Sequence, residues 1–434
     1  MSHPKVHLTA PPAVVWIARK LEEHGFETWT VGGAVRDGLA GRPSGDWDMT
    51  TRARPKDIRR VFKRTVPVGI DHGTVGVLAR DGTMYEVTTF RRDVETDGRH
   101  AVVSFADRID DDLARRDFTV NAIAWHPLTE RLHDPFDGRG DLERGLLRTV
   151  GEPAERFRED YLRVLRAFRF AGRFGLDIDE ATWSALSEVT DRLRGLSAER
   201  IRDELLKVLD TDASPSRALG LYAASGALAA LYPELDDFRE REPVGPGPSG
   251  WDLACAVVDS LPVGNALLRL GALLKPLGDE PAAQLLFRLR LSNAQVDRTL
   301  RLVAAPALPD PGAPDAAFRR WLSGVGRDVW PASARLELAY ARTRRSLGVD
   351  DGADPDAVVG AWRTARRVRD AGPPLAVGDL ALDGRGLISL GLRPGPRFGE
   401  ILGELLDWVL EDPSRNQSEL LVERVLAMEA RDRV

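Results

Sequence analysis

Along residues 1–140 the apolar positions switch between two periods, and beyond them they settle into one. The run ETWTV around Thr28 is strand-like, enters Gly32-Gly33, and is followed by the helix-like AVRDGLAG. DWDMTT reads as a second strand, and RPKDIRRVFKR as a basic helix opened by proline. TVGVLAR and TMYEVTTF alternate on either side of Asp81-Gly82, a hairpin turn pair. After a polar stretch, LARRDFTVNAIAW resumes a helical spacing. From Leu142 onward apolar residues recur every three to four positions, with breaks at 241–250, 307–316 and 349–357, where proline, glycine or aspartate cluster. The expected fold class is α+β: a head of residues 1–140 with a small mixed sheet and helices, then all-α segments over 141–215, 216–330 and 331–434. A chain of 434 residues exceeds one ordinary core, which agrees with several subdomains.

Composition narrows the classes. No apolar run approaches the ~20 residues of a membrane helix, the N-terminus lacks the order of a signal peptide, and the single cysteine, Cys255, leaves no internal disulfide or multi-cysteine zinc site. A cytosolic protein without membrane contact is expected. The net charge of −6 runs against a uniformly basic, phosphate-binding surface. Charge is unevenly spread, however: residues 52–64 carry seven positive charges against one negative. All seven histidines lie at or before His133, so later chemistry falls to carboxylates, Lys, Tyr or Arg.

Asp46 and Asp48 stand two apart in the second strand, which aims both carboxylates at one face and puts Trp47 and Met49 on the other. Such a pair repels itself unless a cation lies between, and hard divalent ions such as Mg²⁺ take that oxygen set when substrate phosphates complete it. Gly32-Gly33, between a strand and a helix start, can bring backbone N–H groups against a phosphate, with Arg36 one turn on. Glu86, on an adjacent strand, is a candidate third carboxylate. Paired acids, a third acid and a phosphate cradle describe two-metal phosphoryl transfer.

These residues resemble a known family. GGAVRDGLAGRPSGDWDMTT resembles the glycine turn and D-x-D of the nucleotidyltransferases. LARRDFTVNAIAW, REDYLRVLRAFRFAGRFG and LSAERIRDELLKVL are similar, in that order, to three further motifs of the class II CCA-adding enzymes and bacterial poly(A) polymerases. The resemblance implies addition of C and A to the tRNA 3′ end without a nucleic-acid template, with CTP and ATP as substrates and tRNA as partner. It implies that Asp46 and Asp48 bind the metals, that Gly32, Gly33 and Arg36 hold the triphosphate, and that Arg116, Asp117 and Asn121 contact the incoming nucleotide. It also names the four segments as catalytic head, neck, body and tail.

The third motif has a physical reading as a base selector. Asp160 and Arg163, three apart on one helix, would present an acceptor and a donor. Cytosine and adenine share the complementary edge, an amine beside a ring nitrogen, whereas uracil and guanine invert it. Arg166 joins this nucleotide-binding set and, with Arg169, Arg173 and the basic 52–64 segment, offers a groove for single-stranded ends. In LSAERIRDELLKVL, Ile201, Leu205 and Val208 form an apolar stripe opposite Arg200, Glu204 and Lys207, and the motif reads as a structural brace. Arg288, Arg290, Arg298 and Arg301 suggest a further basic stripe, and the turn at 392–397 a phosphate contact.

Long family members often carry an HD phosphohydrolase domain after the neck; here Lys275-Pro276 stands where the His-Asp pair is expected, so no such metal site is expected. Members that add only CC lack most of a head loop that residues 92–111 fill here, with a polar centre at Thr96–His100 expected to move between C and A addition. The loop's presence argues against CC-only addition; between full CCA and A-only addition, both of which it leaves open, full CCA is favoured, and poly(A) synthesis and an inactive RNA-binding protein are the further alternatives. Oligomeric state is not legible.

Overall fold

The computed structural model describes residues 6–43, 45–96, 101–211, 213–241, 248–349 and 354–431, and divides into two compact units, Met1–Pro233 and Glu234–Val434. The first unit holds a seven-stranded mixed sheet, and the second is helical, giving the α+β class. Segments 1–140 and 141–215 both fall in the first unit.

The first unit opens with helix α1 (Pro12–Glu23), whose Val14, Ile17, Ala18 and Leu21 recur at helical spacing and are buried. Strand β1 (Thr28–Val31) leads through Gly32 into α2 (Gly33–Leu39), and β2 (Asp48–Thr51) returns antiparallel to β1, with Val31 opposite Asp48. Proline opens α3 (Pro55–Val61), which buries Ile58. Strands β3 (Thr65–Gly69), β4 (Thr74–Leu78) and β5 (Met84–Thr89) follow; β4 and β5 pair as the expected hairpin, with Gly82 at φ 82° in its turn. Strand β5 then lies parallel to β2, Met49 beside Val87. Met49, Val75, Val77 and Val87 face a core completed by α1 and α3. The alternate residues of β2 and β5 face the other way, and the site is built there.

Two expectations are overturned in the head. The polar stretch after β5 is no plain loop: β6 (Arg91–Thr96) and β7 (Ala101–Phe105) form an antiparallel hairpin. Its expected mobile centre, Thr96–His100, lies beyond Thr96 outside the described residues. LARRDFTVNAIAW is not a helix either. Helix α4 (Ile109–Ala114) ends inside it, Thr119–Asn121 makes a single 3₁₀ turn, and β8 (Ala124–His126) pairs antiparallel with β1 and with β9 (Arg131–His133). Buried backbone must be paired, and here the partner is the sheet edge at Thr30 and Val31 rather than a helical turn.

After α5 (Gly138–Arg144), helices α6 (Pro153–Glu159) and α7 (Leu162–Phe174) are separated by Asp160, whose backbone is extended at φ −158°. Helix α7 buries Val164, Leu165, Ala167, Phe168 and Ala171 and stops at Gly175, left-handed at φ 69°. It packs on α9 (Ala198–Thr211), which lies beyond α8 (Glu180–Glu188), and on the helix Pro215–Ala224. The all-α reading beyond residue 142 misses one small feature, a parallel pairing of Leu146–Leu147 with Asp177–Ile178.

The second unit is built of capped amphipathic helices. Ser249 and Ser292 each close a capping box, and Asn265 and Asp354 cap two more helix starts. A separate apolar cluster near its end joins Leu387, Ile401, Leu405, Val409, Leu421 and Val425. Cys255 is buried and burial pushes its thiol up to about 12, so it is an inert core residue.

Candidate functional site

On the free face of β2 and β5, Asp48 and Thr50 alternate with Met49, and Glu86 and Thr88 alternate with Val87. Because Met49 and Val87 are partners in parallel strands, Asp48 and Glu86 stand at one level on one face. They line a cavity of about 700 Å³ in the first unit, with Gly32, Gly33, Arg36, Arg116, Asp117, Asn121, Asp160, Arg163 and Arg166 also in its wall. Of the residues assigned from sequence to catalysis or nucleotide binding, Asp46 alone is not in that wall. It is exposed and precedes β2 rather than lying within it, so the pair is not two residues of one strand.

Asp46 is nonetheless felt by Asp48. Burial, then repulsion from Asp46 and Glu86 against attraction from Arg116, pushes the Asp48 carboxyl up to about 6. The Asp48 carboxyl thus sits in a field that disfavours its ionisation, the condition a divalent cation relieves. Among the described residues no three His, Cys, Asp or Glu side chains converge as a metal cage. The oxygen donors present fit a hard ion that completes its shell with phosphate and water.

The cradle beside them is basic. Gly32 sits at φ 73°, and a Cβ there would lie 3.0 Å from Arg116 Nη1, so both backbone angle and close approach require glycine. Arg116 is held by Asp112 at 3.5 Å, and its Nε is buried with no hydrogen-bond partner among the described residues. An orphaned guanidinium N–H in a cavity wall is a donor awaiting an anion. Asp112 also accepts from the Arg91 backbone N–H at 3.2 Å. It was not singled out from sequence, where it is one of three consecutive aspartates and nothing in the spacing distinguishes it.

Arg36 is less available than its position suggests. Only 4% exposed, it donates to Asp37 at 2.7 and 2.9 Å and to Asn121 Oδ1 at 2.5 Å. Its guanidinium lies 4.3 Å over Phe174 and 4.9 Å over Phe170. Asp117 is buried and accepts from Arg166, from Asn121 Nδ2 and from the Phe118 backbone N–H. Burial alone would raise its pKa, but these donors outweigh it and hold the carboxyl at about 2. Arg116 and Asp117 therefore belong to a partly buried network.

Asp160 and Arg163 meet at the cavity but not as neighbours on one helix face. Asp160 occupies the break, where its Oδ1 accepts from the Leu162 backbone N–H at 3.0 Å and so caps α7. A short acidic side chain before a helical run competes for backbone N–H groups, which is why the helix breaks there. Its other oxygen accepts from Arg200 at 2.7 Å. Arg163 donates to Glu159 at 2.5 Å and to the carbonyls of Arg156 and Arg115.

Motif LSAERIRDELLKVL also departs from its reading as a brace with an exposed charged face. Ile201, Leu205 and Val208 are buried as expected, but Glu204 is buried too, 1% exposed, accepting from Arg169 at 2.7 Å and Lys207 at 3.0 Å. Arg200 and Arg169 both line the cavity. Of the basic stripe in the second unit, Arg288 pairs with Glu234, and Arg301 with Asp297 and Asp328. In the tail turn, Arg397 pairs with Glu400.

Residues 28–148 match the poly A polymerase head domain, and residues 175–239 a probable RNA and SrmB-binding site of polymerase A. The chain is 36% identical to a CCA-adding enzyme of Limosilactobacillus fermentum, covering 94% of both chains, and 34% identical to one of Geobacillus stearothermophilus, covering 93% of both. The crystal structure of a Bacillus stearothermophilus CCA-adding enzyme in complex with CTP superposes with a TM-score of 0.76 at 32% identity, over 98% of this chain and 100% of that one.

Proposed function

The chain belongs to the CCA-adding enzymes, tRNA nucleotidyltransferases, and we propose that the charged cavity of its first unit is where CMP and AMP are transferred from CTP and ATP to the tRNA 3′ end. The observation that supports this most is one wall holding Asp48 and Glu86 beside Gly32 and Arg116, with Asp160 and Arg163 also in that wall. In the reaction the terminal 3′-hydroxyl oxygen bonds to the α-phosphorus of the incoming nucleotide, the bond from that phosphorus to the bridging oxygen breaks, pyrophosphate leaves, and the hydroxyl proton passes to solvent. Enzymes of this class work with divalent metal ions; a Mg²⁺ held by Asp46 and Asp48, with Glu86 at the level of Asp48, would supply charge neutralisation at the triphosphate and a more acidic hydroxyl.

This chain's own residues do the rest. The Gly32-Gly33 turn lets phosphate approach the backbone, and Arg116 meets it with the N–H that lacks a partner. Arg36, clamped by Asp37, Asn121 and two phenyl rings, fixes the glycine turn against α7 more than it reaches for the anion. Arg166, Asp117 and Asn121 form a connected set beneath the nucleotide. Asp160 and Arg163 read the base: the carboxylate accepts from the amine of cytosine or adenine, and the guanidinium donates to the ring nitrogen. Each is held in place by a partner, Arg200 or Glu159, which leaves hydrogen-bonding capacity for a base.

Near-full-length likeness to enzymes named for CCA addition favours all three additions over an A-only or poly(A) product. No helix among the described residues is long and apolar enough to cross a membrane, and the reading includes a cytosolic location where tRNA and both nucleotides are at hand. The test uses purified protein, Mg²⁺ and tRNAs ending before CCA, after C and after CC, each with CTP, ATP or both. Extension of all to one CCA end is expected. Extension of the CC-ended tRNA alone would make the chain an A-adding enzyme, and long A tails a poly(A) polymerase.

A further inference from the structure

The candidate site occupies only part of one face of the first unit's sheet. The strand order β3-β4-β5-β2-β1-β8-β9 puts the Gly32-Gly33 turn after β1, the acids Asp48 and Glu86 on β2 and β5, and β4 and β3 beyond them. Register carries the site face outward: Glu86 stands opposite Gly76 of β4, and Gly76 opposite Val66 of β3. Val66 therefore lies two strand spacings from Glu86, about 10 Å away.

This outer part of the face is apolar and open. Val66, Val68 and Met84 are each 43% exposed, and Ile70 is 36% exposed. A Cβ at Gly76 would lie 2.7 Å from Met84 Sδ and 2.9 Å from a Val68 methyl, so side chains of β3 and β5 close over β4 as one surface. Contiguous apolar surface left open on a folded chain marks a place where something binds. Phe105, the other exposed large apolar residue among those described in the first unit, has the Arg54 guanidinium over its ring at 5.2 Å.

The surroundings select the occupant. The strip is continuous with the cavity, whose wall includes Thr74, Glu86 and Thr88 of β4 and β5. Its Met84 end is basic: exposed Lys63 and Arg64 lead into β3, exposed Arg80 follows β4, and the Arg64 carbonyl accepts from Leu78, the register partner of Met84. Asp81, in the same turn, is taken up by the Thr83 backbone N–H and the Tyr85 hydroxyl. Pro67 removes an N–H from the edge strand β3, which blunts that edge against an added protein strand. In-line displacement adds a direction. With pyrophosphate leaving toward the glycine turn and Arg116, the attacking 3′-hydroxyl arrives from the opposite side of Asp48 and Glu86, the side of β4 and β3.

We propose that Val66, Val68 and Met84 form the platform on which the last base of the tRNA 3′ end rests while its 3′-hydroxyl meets the acids. The assignment rests on the nucleotidyl-transfer reading of the cavity and deepens it. Valine and methionine side chains offer a base no hydrogen-bond donor, so the platform holds it by its face and ignores its edge. That suits a site accepting the ends left before CCA, after C and after CC. The incoming base is read by Asp160 and Arg163; the preceding one is held without being read.

The test compares extension kinetics of the wild-type chain and the near-isosteric double variant Val68→Thr/Met84→Gln, on CC-ended tRNA and on the same tRNA lacking its terminal base. On intact tRNA the variant's KM for tRNA should rise about tenfold, the scale of one lost stacking contact. ATP affinity by calorimetry and the preference for ATP over GTP should match the wild type, which also shows that the variant folds. On the abasic end the two chains should be equal, because the contact is already gone. An equal loss on both ends, an unchanged KM, or altered ATP affinity would overturn the platform. So would light scattering that shows a wild-type dimer dissolved in the variant with its kinetics unchanged, which would give the face to a second copy of the chain. A wild-type chain that extends no tRNA would overturn the cavity reading, and the platform with it.

Discussion

The two units handle charge in opposite ways. In the second, apolar helix faces close over each other, and many ion pairs lie at the surface, as with Arg367 and Asp315 at 62% and 45% side-chain exposure. In the first, charge is drawn inward: Arg36, Asp37, Asp112, Asp117, Arg169 and Glu204 are all buried, and each has a partner. Surface pairs contribute little to stability, whereas a buried pair fixes geometry and penalises loss of either member. The contrast shows where this chain invests in position rather than in packing. In the cavity wall Arg116 Nε lacks a hydrogen-bond partner among the described residues and the carboxyl of Asp48 is crowded, and these are groups that a nucleotide with its metal would satisfy.

If that division is right, substitutions should separate activity from stability. Asp48→Asn should reduce nucleotide transfer by at least about a hundredfold, as loss of a charge-stabilising group does. Its melting temperature should hold or rise, since a repelling carboxyl has been removed; a large drop would show that Asp48 is structural. Arg36→Ala should destabilise the first unit by about 3–5 kcal/mol, because Asp37 loses a buried partner, measured by denaturant unfolding. Leu405→Ala, in the apolar cluster of the second unit, should be comparably destabilising, about 2–5 kcal/mol, yet leave CTP affinity unchanged. Weakened CTP binding in that variant would break the comparison.

The smallest effect is one of pH. An acid whose folded pKa is raised contributes stability at low pH and loses it as pH climbs from 3.8 through about 6, which is the direction for Asp48. Mg²⁺ should reverse that loss, so its apparent affinity should fall by about tenfold per pH unit below about pH 6. Thermal unfolding with and without Mg²⁺ across that range checks the sign; an affinity flat with pH would remove Asp48 from the metal site.

Much of the site was legible because its chemistry is local. Gly32-Gly33, Asp46 and Asp48 lie within one strand–turn–helix–strand stretch, and strand alternation alone predicts the inward face of Asp48 and Glu86. What escaped was long-range or conditional. Arg200 reaches Asp160 from 40 positions away, and no periodicity carries that pairing. The 113–125 segment has helix-like apolar spacing, but pairing with β1 and the anchoring of Asp117 override it. Asp160 was misplaced on a helix because its capping role depends on which backbone N–H it finds. The hairpin of β6 and β7 was hidden because β6 (RRDVET) is almost wholly polar, so the apolar run AVVSF of β7 had no matching partner pattern.

Base selection by the protein itself is tested most directly with Asp160→Ala. Incorporation efficiency for CTP against UTP, and for ATP against GTP, would be measured on tRNAs ending before CCA and after CC. The expected result is a discrimination ratio reduced by about tenfold to a hundredfold, the equivalent of one lost buried hydrogen bond. A variant that slows all four nucleotides equally, with its ratios intact, would contradict the assignment of Asp160 as a base reader.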